Sequence, residues 1–315
     1  MTDENLQDRI ALLLDGVGPA RLTRVLDIGA SGAGDSTYAH LREAGGCEVF
    51  GFDAEKTEAE ALTKNAEAGA RYDHQILGDG TVQTFHCYTH SVLSSLYPFD
   101  RATVDYLDRF SIGASLVTSE TVETVQLDKL DGVPEIDFLQ IDVQGAEEQV
   151  LRHGRKTLQG AVGVVTELRF LRLYEGEPMM ARVAAELEEQ GFTFHKILSK
   201  KQLPVPFRGK QRVRLMQIAS QWVDGDGVFM RDLVRADAIP TEKLKHLAIL
   251  AGSVFMSHDI TLKCLDILAD RGAISKTLSD AYIDLLPDRF LRLPEPTWMH
   301  RILARIGLSP KKIHP

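Results

Sequence analysis

The chain has 315 residues, 44% hydrophobic, 26% charged and 7% aromatic, which suits about two domains or one large one and excludes a disordered or collagen-like polymer. Its three cysteines, Cys47, Cys87 and Cys264, have no CxxC or Cys/His spacing, so a disulfide scaffold is excluded and reduced thiols of a cytosolic protein are expected. The net charge of −9, from 36 Lys/Arg against 45 Asp/Glu, disfavours a protein whose main work is neutralising nucleic-acid phosphates.

Residues 1–30 open with acids, and their apolar run at 10–14 is shorter than a signal h-region, so no export signal is expected and the address reads as cytoplasmic. The most apolar stretch, 247–256, is interrupted by Gly252 and Ser253 and falls short of the roughly 18 residues of a transmembrane segment.

Periodicity predicts a helix over 4–15, a Gly/Pro break at 16–19 and a buried strand over 24–28 that stops at glycine. A helix over 36–43, a strand over 48–52 with Asp53 at its end, and a helix over 56–68 follow. A third strand at 74–77 leads into Gly78, Asp79 and Gly80, a hairpin signal, and then a β-rich stretch over 81–89. Residues 90–132 are polar and poorly periodic, with one alternating strand at 123–127. Too long for an idle connection, they read as an inserted lid or acceptor wall, or as a structural β insertion.

Regularity returns with a strand over 136–142, a helix from Gly145 to 158, a strand over 162–168, a helix over 179–190 and short strands at 193–197 and 213–218. Strands alternating with helices imply an α/β fold with a mostly parallel sheet covered on both faces and an antiparallel finish. From Val223 no strand is expected, and helices at 241–252, 261–270 and 275–285 suggest a helical C-terminal module over 221–315 after a unit over 1–220. Residues 286–315 carry six Lys/Arg against Asp288 and Glu295. This basic tail, with Trp298, Arg301 and Arg305, reads as a solvated amphipathic helix or as a membrane-surface or partner contact.

In the segment 26–34 the glycines Gly29, Gly32 and Gly34 are spaced G-x-x-G-x-G, and Asp27 lies two residues before the first. Glycine lets a chain turn sharply off a strand and approach a ligand closely, and the following helix points its free N–H groups at that ligand. A nicotinamide fingerprint requires G-x-G-x-x-G with pyrophosphate on the helix N-terminus. The spacing here differs, and Asp27 would repel pyrophosphate while accepting hydrogen bonds from a cationic amino-acid group. S-adenosylmethionine, a sulfonium with a zwitterionic end and no phosphate, suits that turn; a β-α turn with no ligand is the structural alternative. Asp53, at the end of the second strand, suits a ribose diol for either cofactor.

The strand and turn over 136–154 deliver Asp142 to the carboxyl edge of the sheet, with Gln144 and Glu147 opening the next helix. This stretch resembles the signature of the FkbM-type S-adenosylmethionine-dependent methyltransferases. Segments 25–32, 51–54, 76–80, 94–96, 164–168 and 173–176 are similar to other pieces of that family in the same order, so the resemblance covers about 25–218. It implies a class I, Rossmann-like fold with a seven-stranded sheet, S-adenosylmethionine as methyl donor, and O-methylation of a hydroxyl on a sugar, polysaccharide, polyketide or similar metabolite. On this resemblance Asp27, Gly29, Ala30 and Gly32 take the methionine side, Asp53 the ribose, and Gly78 and Asp79 the adenine wall, with Asp142 also beside the cofactor. Gln140 stands where the family commonly has lysine, and Asp53 where it has glutamate.

Methyl transfer to a hydroxyl is an in-line displacement helped by alignment and by a base that takes the proton. Asp142 and Glu167, at the ends of neighbouring strands, are placed to be base or orienter of the acceptor, or jointly a Mg²⁺ site; each could equally be structural, as a helix cap or a paired acid. His90, beside Ser94 and Ser95, is a further candidate base, and Tyr174 and Glu175 are candidate acceptor contacts; His86 and His153 are weaker. A nicotinamide oxidoreductase, a non-catalytic binding or scaffold protein, and a methyltransferase whose acceptor is protein or nucleic acid, the last disfavoured for nucleic acid by the −9 charge, remain the alternatives. The expected partner is a small-molecule or glycan acceptor, and no nucleic acid.

Overall fold

The computed structural model describes residues 5–30, 36–64, 69–108 and 115–292. In chain order, α1 (Leu6–Val17), β1 (Thr23–Ile28), α2 (Ala39–Glu43), β2 (Cys47–Asp53), α3 (Lys56–Lys64) and β3 (Ala70–His74) come first. Next are β4 (Val82–Tyr88), α4 (Arg101–Leu107) and β5 (Leu116–Glu123). Then come β6 (Phe138–Ile141), α5 (Glu147–Arg152), β7 (Gly163–Arg169), α6 (Met180–Glu189), β8 (Phe192–Leu203) and β9 (Gln221–Arg231). The described helices end with α7 (Thr241–Ser253), α8 (His258–Asp270) and α9 (Leu278–Asp284), apart from short 3-10 turns.

Seven strands form one sheet in the order β3-β2-β1-β6-β7-β9-β8. All are parallel except β9, which runs antiparallel to both neighbours. This is the class I architecture that the resemblance implies. The chain reverses its direction of winding between β1 and β6, where an open α/β sheet leaves a crevice at its carboxyl edge.

Both faces are covered, so the inner strands are continuous apolar runs instead of alternating ones. One face packs Val25, Phe138 and Val228 against Ile10 and Leu13 of α1 and Leu247 and Leu250 of α7. The other packs Leu26, Leu139 and Val164 against Val150 of α5 and Val183 and Leu187 of α6. The C-terminal helices therefore share a core with the sheet. Phe255, which follows α7, sets its ring edge-on to Phe138 at 5.8 Å, in space left by Gly163, where an added Cβ would stand 2.6 Å from the Phe255 ring.

At the amino edge, buried Asp137 accepts hydrogen bonds from Arg21 Nη2 at 3.0 Å, Arg24 N at 2.9 Å and Lys243 Nζ at 2.9 Å. Burial pulls its pKa upward, but Arg21, His246 and the other donors outweigh that and hold it below its ordinary value. This cluster ties α7 to the start of β1 and β6. The three cysteines are unpaired, and burial pushes the Cys47 and Cys264 thiols up to about 12, so both are inert at neutral pH. No helix among the described residues is long and apolar enough to cross a membrane.

Several elements differ from the sequence reading, each for a physical reason. β3 spans Ala70–His74, ahead of the expected 74–77, because it is an edge strand with only Tyr72 buried and so shows no apolar run. Residues 213–218 form no strand; Leu215–Ile218 is an exposed 3-10 turn. The missing partner is β9, inside the sheet and past the point where strands were expected to stop. Its Asp224-Gly-Asp-Gly227 centre reads as a turn. Those glycines answer to packing: an added Cβ at Gly225 would meet Ser199 O at 2.5 Å, and one at Gly227 the Leu168 side chain at 2.3 Å. The expected change to helix at 221 thus falls on an inner strand of the sheet. In 90–132, β5 pairs antiparallel with β4 as a separate two-stranded sheet, and α4 starts at Asp100, whose side chain accepts from Thr103 N at 3.0 Å. Gly32, Gly34 and the basic tail beyond Arg292 lie outside the described residues.

Replacing Phe255 with alanine is expected to cost about 3–5 kcal/mol of stability. Denaturant titration should show one shifted cooperative transition; an unshifted main transition with a separate weak one would mean that the helices do not share the sheet's core.

Candidate functional site

Two cavities meet at the carboxyl edge of the sheet. The larger, of about 430 Å³, runs from Phe52, Asp53 and Gln75–Leu77 past Gly29 to Asp142, Glu167, Arg169, Lys201 and Asp224. The smaller, of about 350 Å³, is lined by Asp27, Gly29, Ala30, Thr37, Tyr38, Gln140 and Asp142, among others. Gly29 and Asp142 are shared because their backbones nearly touch. Gly29 has φ +79°, and an added Cβ would sit 1.8 Å from the Asp142 carbonyl oxygen, so only glycine lets β1 leave the sheet here.

In the smaller cavity Asp27 is buried. Tyr38 donates to its Oδ2 at 2.7 Å, while its Oδ1 has no hydrogen-bond partner. A buried carboxylate oxygen without a donor is costly, and a bound ammonium group would satisfy it. Burial pushes the Asp27 carboxyl up to about 7, the Tyr38 hydrogen bond offsets only part of that, and Asp142 and Asp53 add to the rise. Gln140 Oε1 accepts from Thr37 N at 3.1 Å and from Thr37 Oγ1 at 2.5 Å, so this residue secures the chain that enters α2.

At the other end Asp53, nearly buried, accepts from Glu55 N at 2.6 Å through Oδ1. Its Oδ2 has no hydrogen bond among the described residues and lies in the cleft wall, which suits a diol. Phe52, Leu77 and Phe85 supply apolar surface beside it. Burial raises its pKa, with the Glu55 N–H opposing.

The central wall is organised by Arg169, only 2% exposed. Its guanidinium donates to both oxygens of Glu167, at 3.1 and 2.6 Å, to Glu177 at 3.2 Å, to Asp224 at 3.2 Å and to Gln144 Oε1 at 2.9 Å. Burial alone would lower its pKa; Glu167, Tyr174 and Glu177 reverse that and raise it. Gln144 Nε2 in turn donates to Asp142 Oδ1 at 2.6 Å and to Glu167 Oε2 at 3.3 Å. Gln144 adopts a left-handed φ of 54°, which costs on the order of 1–3 kcal/mol in a non-glycine residue. Its contacts offset that, including Ser95 Oγ donating to its carbonyl at 2.6 Å.

Asp142 is exposed at the end of β6, and its Oδ2 has no hydrogen bond among the described residues. Glu167 is buried and engaged by both arms of Arg169; burial raises its pKa, Arg169 opposes, and Asp142 and Glu147 add to the rise. Glu147 is committed to the turn, accepting from Val143 N at 3.0 Å and Gly145 N at 3.0 Å. Carboxylate oxygens of Asp142, Glu147 and Glu167 lie within 4.8 Å of one another, but two of these three acids already have their charge or lone pairs occupied.

A family model described as the methyltransferase FkbM domain matches residues 27–194. This chain belongs to the FkbM methyltransferase family. That span, from the end of β1 to the start of β8, holds most of the wall of both cavities and identifies the chain with an S-adenosylmethionine-dependent methyltransferase family, not with nicotinamide oxidoreductases. No curated protein matches the chain. Among solved structures it is similar to magnesium protoporphyrin IX methyltransferase from Synechocystis PCC 6803, with 13% identity, 73% of this chain and 79% of that one covered, and a TM-score of 0.31. It is also similar to precorrin-6y C5,15-methyltransferase from Geobacter metallireducens, with 11% identity, 71% and 87% coverage, and a TM-score of 0.34.

Within this FkbM chain, Asp27, Gly29, Ala30, Asp53, Asp142 and Glu167 are brought together around the joined cavities. Five expected residues are not: His90, Gly78, Asp79, Tyr174 and Glu175. His90 is exposed and is not in the cleft wall, because the chain turns there and presents Ser91–Ser94 to the cleft instead. Gly78 and Asp79 also stand outside the wall. Asp79 Oδ1 accepts from Thr81 and Gln83, and these bonds outweigh burial and hold its pKa down to about 2. The wall expected there is made by Gln75, Ile76 and Leu77. Tyr174 is buried, stacked on Phe99 at 4.5 Å and hydrogen-bonded to Leu93 O at 2.8 Å, so it supports the wall, and Glu175 is exposed outside it. His86 bonds Ser119 at 3.0 Å and His153 bonds Gln149 O at 2.9 Å. Sequence reasoning passed over Arg169, although a Glu-x-Arg pair at a strand end places both side chains on one face.

Because burial pushes the Asp27 carboxyl up to about 7, affinity for an ammonium-bearing ligand should rise with pH as that carboxyl ionises. Calorimetry with S-adenosylhomocysteine from about pH 6 to about pH 8 should show tightening in the native chain and a flat, weaker profile in Asp27→Asn. The ligand-free protein should instead lose stability over the same rise, since the native state holds a proton that the unfolded chain has released.

Proposed function

We propose that this chain is an O-methyltransferase that transfers the methyl group of S-adenosylmethionine to a hydroxyl of a sugar, polysaccharide, polyketide or similar metabolite. The observation that carries this reading is the exposed Asp142 carboxylate beside Gly29, with one oxygen held by Gln144 and the other without a hydrogen bond among the described residues. When bound, S-adenosylmethionine supplies an electrophilic methyl on a sulfonium. The chain's own groups do the rest. Asp27 Oδ1 takes the ammonium end, Asp53 Oδ2 the ribose diol, and Phe52, Leu77 and Phe85 the flat purine. Asp142 Oδ2 accepts the acceptor's hydroxyl proton, and Gln144 keeps that carboxylate in place.

Asp142 is favoured over Glu167 as the base because Glu167 is engaged by both arms of Arg169; we assign Glu167 to positioning. The net charge of −9 fits a small-molecule or glycan acceptor better than a nucleic acid.

The test is a labelled-methyl assay across sugar, glycan and polyketide hydroxyl acceptors, with the product examined for a methyl ether. Asp142→Asn should lower turnover by about 10²–10⁴ and leave S-adenosylhomocysteine affinity in place. Asp53→Ala should weaken that affinity by about tenfold to a hundredfold. Native turnover in Asp142→Asn would remove the base assignment, and methyl on nitrogen or carbon would remove O-methylation.

A further inference from the structure

Charge is segregated along this chain in a way that its net value hides. Residues 190–223 contain seven Lys/Arg and no Asp or Glu, within a chain of net charge −9. The centre of this segment, 204–219, leaves the sheet after β8 and returns at β9, with only short 3-10 turns at Lys210–Arg212 and Leu215–Ile218. Its base is anchored. Leu203 and Val223 form a small core with Leu107 of α4, and Lys210 Nζ stands 2.5 Å from Asp108.

The outer part has two kinds of exposed side chain. Phe207, Val213, Met216 and Ile218 are 47%, 42%, 53% and 52% exposed. Interleaved with them, Arg208, Arg212 and Arg214 are exposed and have no acidic partner among the described residues. Single exposed apolar residues are ordinary; four within twelve positions, alternating with unpaired arginines, make a contact surface. Apolar side chains that enter the acyl boundary while cations meet phosphates are the physical requirement for binding an anionic bilayer. Single-stranded nucleic acid would call for aromatic stacking platforms, and only Phe207 of the four has a ring.

The position is informative too. Lys201, just before the excursion, and Asp224, just after it, both line the cleft. We propose that the 204–219 excursion docks the enzyme on an anionic lipid surface, with the acceptor end of the cleft facing hydroxyl acceptors carried by lipids. The acceptor clause rests on the methyl-transfer reading, whereas the docking does not.

The test is flotation of the full chain with vesicles of phosphatidylcholine, with and without phosphatidylglycerol. The chain should float only with the phosphatidylglycerol vesicles, and less at high salt. The triple variant Arg208→Glu, Arg212→Glu, Arg214→Glu should reduce the bound fraction by about tenfold or more. So should Phe207→Ser with Met216→Ser, while S-adenosylhomocysteine binding by calorimetry keeps its native value in both, showing an intact fold. No flotation of the native chain, or undiminished flotation of the triple variant, overturns the proposal. So does salt-sensitive binding of single-stranded RNA through these arginines without vesicle binding. Vesicle binding with no methyl transfer to any hydroxyl would sustain the docking and count against the transfer reading alone.

Discussion

A single buried cation decides the shape of the reaction end of this cleft. Arg169 sits where five acids, Asp142, Glu147, Glu167, Glu177 and Asp224, converge, and it bonds three of them directly. Without it their mutual repulsion and desolvation would force protonation or opening of the sheet edge. With it, Glu167 and Glu177 become fixed struts, and the remaining donor capacity passes through Gln144 to Asp142. The strained backbone at Gln144 is held because its side chain links that guanidinium to the exposed carboxylate.

The same logic separates binding from chemistry. At the cofactor end, Asp27 Oδ1 in the smaller cavity and the second oxygen of Asp53 in the larger have no hydrogen bond among the described residues, and a ligand would complete both. At the reaction end Asp142, exposed and outside the Arg169 ion pairs, keeps such an oxygen among the described residues. The acids around it are already paired or capping, so one carboxylate is left to act on a proton.

Much of the fold was legible before any coordinates. Apolar runs with Asp27, Asp53, Asp142 and Glu167 at or near their ends mark the carboxyl ends of four parallel strands, because a strand buried on both faces leaves a recognisable signature. β9 was not legible: Gly225 and Gly227 are there for close packing against Ser199 and Leu168, and in a linear reading such glycines mimic a turn. The edge strand β3 was misplaced since an edge needs little apolar surface. The site was half legible. The glycine turn and the four acids Asp27, Asp53, Asp142 and Glu167 are visible along the chain, while His90 and Asp79 stand next to residues that line the cleft without lining it themselves.

The sequence by itself determined the class of the protein, through the order of strands, the acid at each strand end and the segment around Asp142, since these are local patterns that a single chain must carry. Tertiary structure alone decided which acid is available. Asp142 and Glu167 look equivalent along the chain; they differ because Arg169, Gln144, Glu177 and Asp224 come from three separated segments whose side chains meet only when β7 pairs with β9 and the turn after β6 closes over them.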